Sequence, residues 1–201
     1  MSALVNPEPD WITRLLIAVT CIYLSACATQ SSKIDSHNNA VADIEQWHIR
    51  GKIGIRSPTE SLSAMLNWQQ LTGAYTIRLS GTLGSGSLQI IGNDNGVTVR
   101  QAGEIDQYAS NAGLLLQRRL GWSVPIEHVY YWVRGLPAAV PVDRQTNSDG
   151  QLSVLEQAGW RIEYLRYQQF ANFALPSKLR LQHEDLKVTL IIKEWQLKKP
   201  T

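Results

Sequence analysis

The side chains that could do chemistry are few and scattered. Histidine occurs four times, at His37, His48, His128 and His183. None forms an H-E-x-x-H pair, the spacing that sets two zinc ligands on one helix face. His183 is followed by Glu184 in what reads as a turn, the place of a solvated pair rather than a metal ligand. A serine nucleophile on a strand-to-helix elbow would need G-x-S-x-G, which does not occur. Gly84-Ser85-Gly86-Ser87 resembles a phosphate-cradling loop, yet no Lys follows and the next residues read as a strand. Asp143, Glu156 and Glu163 stand apart, without the pairing that general acid–base work requires. The expectation is a protein that is not an enzyme, with no catalytic residue, metal or cofactor. A lipid-anchored hydrolase assembled from residues distant in sequence is the weaker alternative.

The remaining reactive group is a thiol. Cys27 closes Leu24-Ser25-Ala26-Cys27, directly after the apolar run Leu15 to Leu24. This resembles the lipobox of bacterial lipoproteins, in which the cysteine sulfur receives a diacylglyceryl group and cleavage frees an amine that is also acylated. The plainer alternative is a signal peptide cut at a small-residue site, with Cys27 uninvolved. The apolar run is shorter than the ~20 residues that span a bilayer. Glu8 and Asp10 offset Arg14, which a signal peptide does not favour, so the true start lies downstream of Met1 or the first residues are a tolerated extension. Residues 1–26 are read as a lipoprotein signal peptide. Residues 27–42 are read as the lipidated Cys27 and a polar, flexible tether, and 43–201 as a single domain. Cys21 leaves with the leader, so no disulfide can form within the mature chain. The net charge of +2 is spread along the sequence and names no nucleic-acid partner.

The elements that would position a site follow from periodicity. Trp47, Ile49, Gly51, Ile53 and Ile55 alternate with His48, Arg50, Lys52 and Gly54, a half-buried strand. Leu62, Ala64, Leu66 and Trp68 repeat the pattern, as do Tyr75, Ile77 and Leu79, then Leu88 and Ile90, then Val97 and Val99. Leu71-Thr72-Gly73 and Asn93-Asp94-Asn95-Gly96 supply turns. Helical spacing begins with Ile105, Tyr108, Ala112, Leu115 and Leu116, and Gly121 is placed to cap it. Pro125 opens a second helix through Ile126, Val129 and Val133, closed by Gly135 and Pro137. Residues 138–150 read as loop. Strands resume at Leu152, at Trp160 to Tyr164, at Leu179 to Leu181 and at Val188 to Ile192. The expectation is a mostly β fold with α: an antiparallel curled sheet of nine strands whose dry face is covered by two helices.

Tryptophan is plentiful, and six of its seven occurrences follow Cys27. Large flat residues on a curled sheet either fill a core or line an apolar cavity, and sequence alone leaves both open. Leu83, alone among glycines and hydroxyls in Gly81-Thr82-Leu83-Gly84-Ser85-Gly86-Ser87, is either folded back onto the core or an exposed apolar finger.

Several collinear segments resemble the LolB family of outer-membrane lipoprotein receptors. They are the lipobox, Trp47-His48-Ile49-Arg50-Gly51-Lys52, the Leu62-to-Trp68 strand, Leu79-Ser80-Gly81-Thr82-Leu83-Gly84, Trp132-Val133-Arg134-Gly135-Leu136-Pro137, and Gly159-Trp160. The resemblance implies an unclosed half-barrel of eleven antiparallel strands around a hydrophobic cavity, with its two further strands expected within 138–148 and 168–176. It implies a non-enzymatic receptor that accepts lipoproteins from a LolA-like periplasmic carrier, binds their acyl chains and inserts them into the outer membrane. Leu83 matches the family's protruding leucine, with Thr82 in place of the frequent proline. Ala28, not aspartate, follows the cysteine, in keeping with outer-membrane placement. The expected partners are the carrier, the acylated cargo and outer-membrane lipid, with the protein a monomer. The acyl-cavity candidates are Leu66, Trp68, Tyr75, Leu79, Leu115, Trp132 and Trp195. An envelope scaffold with a packed core is the alternative from another class.

Overall fold

The computed structural model describes residues 40–81, 86–138 and 142–198. The expected signal peptide, Cys27, most of the tether and Leu83 lie outside them. Strand β1 (Trp47–Arg56), β2 (Ser61–Leu71), β3 (Ala74–Gly81), β4 (Ser87–Asn93) and β5 (Gly96–Gln101) form the meander that alternation predicts. A short β6 (Gln107–Ala109) follows, then helix α1 (Ala112–Leu120) and helix α2 (Ile126–Trp132). The chain returns through β7 (Asp143–Thr146), β8 (Leu152–Gln157), β9 (Trp160–Phe170), β10 (Phe173–His183) and β11 (Leu186–Leu197).

All eleven strands join one sheet in the order β6-β5-β4-β3-β2-β1-β11-β10-β9-β8-β7. Its pairings are antiparallel throughout. The sheet is unclosed and curled. Two meanders meet at the β1–β11 seam, and the helices connect one edge strand to the other. Both edge strands are short, which limits the unpaired backbone presented to other chains.

The strand count differs from the nine read by periodicity, and in an instructive way. One further strand, β7, does fall within 138–148, in what reads as loop, and all four of its residues are exposed. No separate strand occupies 168–176; there β9 and β10 extend toward one another and turn at Ala171, with φ 51°. The other addition is β6, inside the stretch read as helix. Ile105 and Tyr108 fit helical spacing but are exposed, Ile105 at 90%. The helix begins only where Asn111 can cap it, its side-chain oxygen accepting from the Leu114 amide at 2.9 Å. Gly121 closes α1 at φ 75°, its amide donating to the Gln117 carbonyl.

The core is the inward face of the sheet under the helices. Trp47 sits between Trp68 and Trp195, with ring centroids 5.0 and 5.3 Å away. Packing also reaches into the segment read as tether, because Val41 is buried. Arg134, just after α2, donates to the Val41, Ala42 and Ile44 carbonyls at 3.5, 3.3 and 2.9 Å. Its guanidinium lies 4.0 Å from the Tyr130 ring centre. On the opposite side, Gln157 accepts from the Trp132 indole at 2.8 Å and bonds both backbone groups of Ala138 at 2.9 Å. These buried polar contacts fix α2 and the segment after it.

Candidate functional site

Strand alternation sends every second side chain inward, and over part of the sheet those side chains do not meet the helices. A cavity of about 220 Å³ remains there. Ile53 and Ile55 of β1, Leu62, Ala64, Leu66 and Trp68 of β2, Ile77 and Leu79 of β3, and Leu88 and Ile90 of β4 form its main wall. Leu181, Val188 and Leu190 continue it across the seam, while Leu116, Ile126, Val129 and the α1–α2 connection with Trp122 and Val124 form its roof. The polar groups at its wall are few, Gln101 and Ser87 among them.

The rim lies at one end of the strands. Gly81, Gly86 and Ser87 line it, so the base of the β3–β4 hairpin is part of the opening. The Gly81 amide donates to the Gly86 carbonyl at 3.2 Å, closing that base below the tip, which lies outside the described residues. Trp122 stands at the same rim, its indole N–H donating to the Glu60 carboxylate in the β1–β2 turn at 3.2 Å. This contact is exposed and links the helical roof to the sheet.

The seven cavity candidates are split by the fold. Leu66, Trp68 and Leu79 line the cavity. Tyr75 does not; it lines a second concavity at the other end of the sheet, with Trp68, Tyr130, Tyr131, Glu45 and Glu127. Its hydroxyl is buried without a partner, and burial raises its pKa, with the Glu127 carboxylate adding to the rise. Leu115, Trp132 and Trp195 are core rather than wall. Trp132 is held by Gln157, and the Trp195 indole donates to the Pro176 carbonyl at 3.4 Å. The remaining wall was accessible to sequence reasoning, since Ile53, Ile55, Leu62, Ile77, Leu88, Ile90, Leu181, Val188 and Leu190 belong to the inward sets that alternation defines. What alternation does not supply is which inward positions the helices reach.

Among the described residues, the histidines and acids that the sequence singles out as candidates lie away from the cavity wall. His48 bonds Asn67 at 3.0 Å on the outer face, His128 packs against Trp132, and His183 against Trp160. Glu163 pairs with Arg180 at 2.9 Å and with Arg161, and Glu156 also pairs with Arg161. Asp143 lies exposed on the edge strand β7. No group of three His, Cys, Asp or Glu side chains suited to a metal occurs among the described residues.

Comparison with known proteins agrees with this architecture. Among solved structures, a LolA-superfamily protein from Nitrosomonas europaea shares the fold, with a TM-score of 0.50 at 9% identity, covering 87% of this chain and 96% of that one. Outer-membrane lipoprotein LolB of Pseudomonas paraeruginosa is 43% identical over 196 residues, 91% of this chain and 96% of the relative. The LolB of Cellvibrio japonicus is 40% identical over 194 residues, again 91% of this chain and 96% of its own length. The family described as outer membrane lipoprotein LolB matches residues 45–195, which is nearly the whole of the sheet and its helices, and the chain therefore belongs to the LolB family.

Proposed function

We propose that this LolB-family protein is the outer-membrane-anchored receptor that accepts lipoproteins from a LolA-like periplasmic carrier, holds their acyl chains in the cavity and inserts them into the outer membrane. The observation that carries the reading is the apolar cavity, whose wall is Leu, Ile, Val and Trp over most of its extent. Exposing an acyl chain of about a dozen methylenes to water costs ~10 kcal/mol at ~0.8 kcal/mol per methylene. Passing it from one apolar cavity to another avoids that cost. A receptor that binds the chain more tightly than the carrier gives the transfer its direction without a nucleotide.

The cavity volume of about 220 Å³ is below the ~300–1,000 Å³ of pockets that enclose a whole small ligand. Cargo entry therefore requires the space to widen. The Trp122–Glu60 contact is the exposed link across the rim, whereas α2 is tied down by Arg134 and Gln157. Helix α1 itself packs against β5 and β6, so the widening is placed at the connection between the helices, where Trp122 holds the exposed contact.

In this reading Cys27 carries the lipid that anchors the chain to the outer membrane. Leu83, at the hairpin whose base forms the rim, enters the bilayer at release. One leucine side chain contributes ~1.5–3 kcal/mol on burial, enough for a transient membrane contact. The test mixes the mature chain carrying Cys27→Ala with a LolA-like carrier loaded with labelled lipoprotein. Label moving to the receptor is the expected result; label remaining on the carrier removes the receptor reading.

A further inference from the structure

The outer face of the sheet carries a third concavity, near the same end as the cavity rim. Four strands contribute two adjacent rows to it. Ser63, Gly54, Thr189 and Arg180 are register neighbours across β2, β1, β11 and β10, and Ser61, Arg56, Lys187 and Gln182 form the next row. Together they border a groove of about 570 Å³.

Gly54 makes the floor of this groove, and no neighbouring atom demands a glycine there. A Cβ built on it meets no atom within 4 Å. Gly51, in the same strand, is different: its Cβ would lie 2.0 Å from the Ile191 carbonyl oxygen, at the β1–β11 register shift. Glycine within a strand weakens it and marks a bulge, a bend or the close approach of a ligand or another backbone. The β1 register shift lies at Arg50/Gly51 and no backbone stands near Gly54, which leaves a bend of the curled sheet or room for a ligand. The groove is also cationic. Arg180 is paired with Glu163 at 2.9 Å, but Arg56 and Lys187 have no ion-pair partner among the described residues. Hydroxyls of Ser61, Ser63 and Thr189 border the same space.

Position decides the ligand. Gly81, at the base of the β3–β4 hairpin, pairs with Ala64 beside Ser63, two strands or ~10 Å from Gly54. A bilayer touched by the hairpin tip is thus within reach of the groove. We propose that the Gly54 groove binds the anionic phosphate groups of bilayer lipids, with Arg56 and Lys187 supplying charge and the hydroxyls supplying hydrogen bonds. The groove would then hold the rim against the membrane surface while cargo leaves. This rests on the proposed membrane-facing role of the hairpin end.

The experiment is flotation of the mature chain carrying Cys27→Ala with vesicles of phosphatidylcholine, with and without a minority of phosphatidylglycerol. Binding is expected to rise with phosphatidylglycerol and fall with added salt. A basic residue near an anionic surface contributes ~1 kcal/mol, so each charge removed should weaken binding about fivefold. Arg56→Gln with Lys187→Gln should therefore weaken it about 25-fold. Gly54→Val, which fills the floor, should weaken it with the melting temperature kept. Arg78→Gln with Lys193→Gln removes equal charge from exposed sites outside the groove and should retain most of the binding. Wild-type binding by either groove variant overturns the proposal, as does an equal loss in the Arg78/Lys193 control. Acceptance of labelled lipoprotein from the carrier is measured alongside. A wild-type chain that accepts none removes the receptor reading, and leaves the vesicle result to stand on its own.

Discussion

Arg134 is the one buried charged residue among the described residues, and its environment explains why it is tolerated. Burial lowers its pKa, while Tyr130, Tyr131 and Glu45 oppose that shift. Its guanidinium is satisfied by backbone carbonyls and stacked on Tyr130, so removing it strands those carbonyls. Arg134→Leu should cost ~3 kcal/mol, lowering Tm by ~6–12 °C in a thermal melt. Tyr164 presents the opposite case, a buried hydroxyl with no partner. Tyr164→Phe should stabilise the protein by ~1 kcal/mol in denaturant titration. Burial raises the pKa of Tyr164 and Tyr167 above the usual ~10. A group whose folded pKa is raised contributes its stability below the unfolded value and loses it as pH climbs toward the folded one. Unfolding midpoints should therefore fall above pH ~10, less steeply in the Tyr164→Phe, Tyr167→Phe double variant. None of this was legible in sequence, where Arg134 is one letter of a short motif and the tyrosines are strand residues like any other.

At the scale of elements, the strands that alternate were the ones sequence placed well, because inward and outward side chains differ in burial. The misplaced β6 had no such signal: with three residues, it is held by pairing to β5 rather than by an apolar period. The same scale governs the cavity. Ala64 occupies a wall position on β2, facing the unfilled space. Ala64→Leu should reduce uptake of an apolar fluorophore several-fold while raising stability by ~1–2 kcal/mol, as cavity filling does. A packed-core scaffold would show little uptake in either form, and the substitution would instead overpack and destabilise it by ~1–3 kcal/mol. Trp122 joins the roof to the β1–β2 turn through Glu60. Trp122→Phe keeps the apolar ring and removes the donor, and should speed fluorophore entry in stopped-flow measurements. An unchanged rate would mean that the roof opens elsewhere.

At the scale of the whole molecule, one end of the sheet gathers the cavity rim, the hairpin base and the outer groove, while Val41 to Ile44 are fastened beside α2. Acceptance and release of cargo are then separable. Leu83→Glu should accept labelled lipoprotein at the wild-type rate and deliver it to liposomes at least several-fold more slowly; equal delivery would return Leu83 to an ordinary loop residue. The sequence by itself determined the family, the antiparallel class and the inward face of most strands, because these are written in local periodicity and in short motifs along one strand or turn. It also supplied Cys27 and Leu83 as candidates. Only the tertiary structure decided which inward residues remain unopposed. Leu66 and Leu79 became wall and Leu115 and Trp132 became core, although all four are apolar residues at regular spacing. The physical reason is that a cavity is a mismatch between two surfaces, the curled sheet and the helices laid over it, and no single segment encodes how far they stand apart.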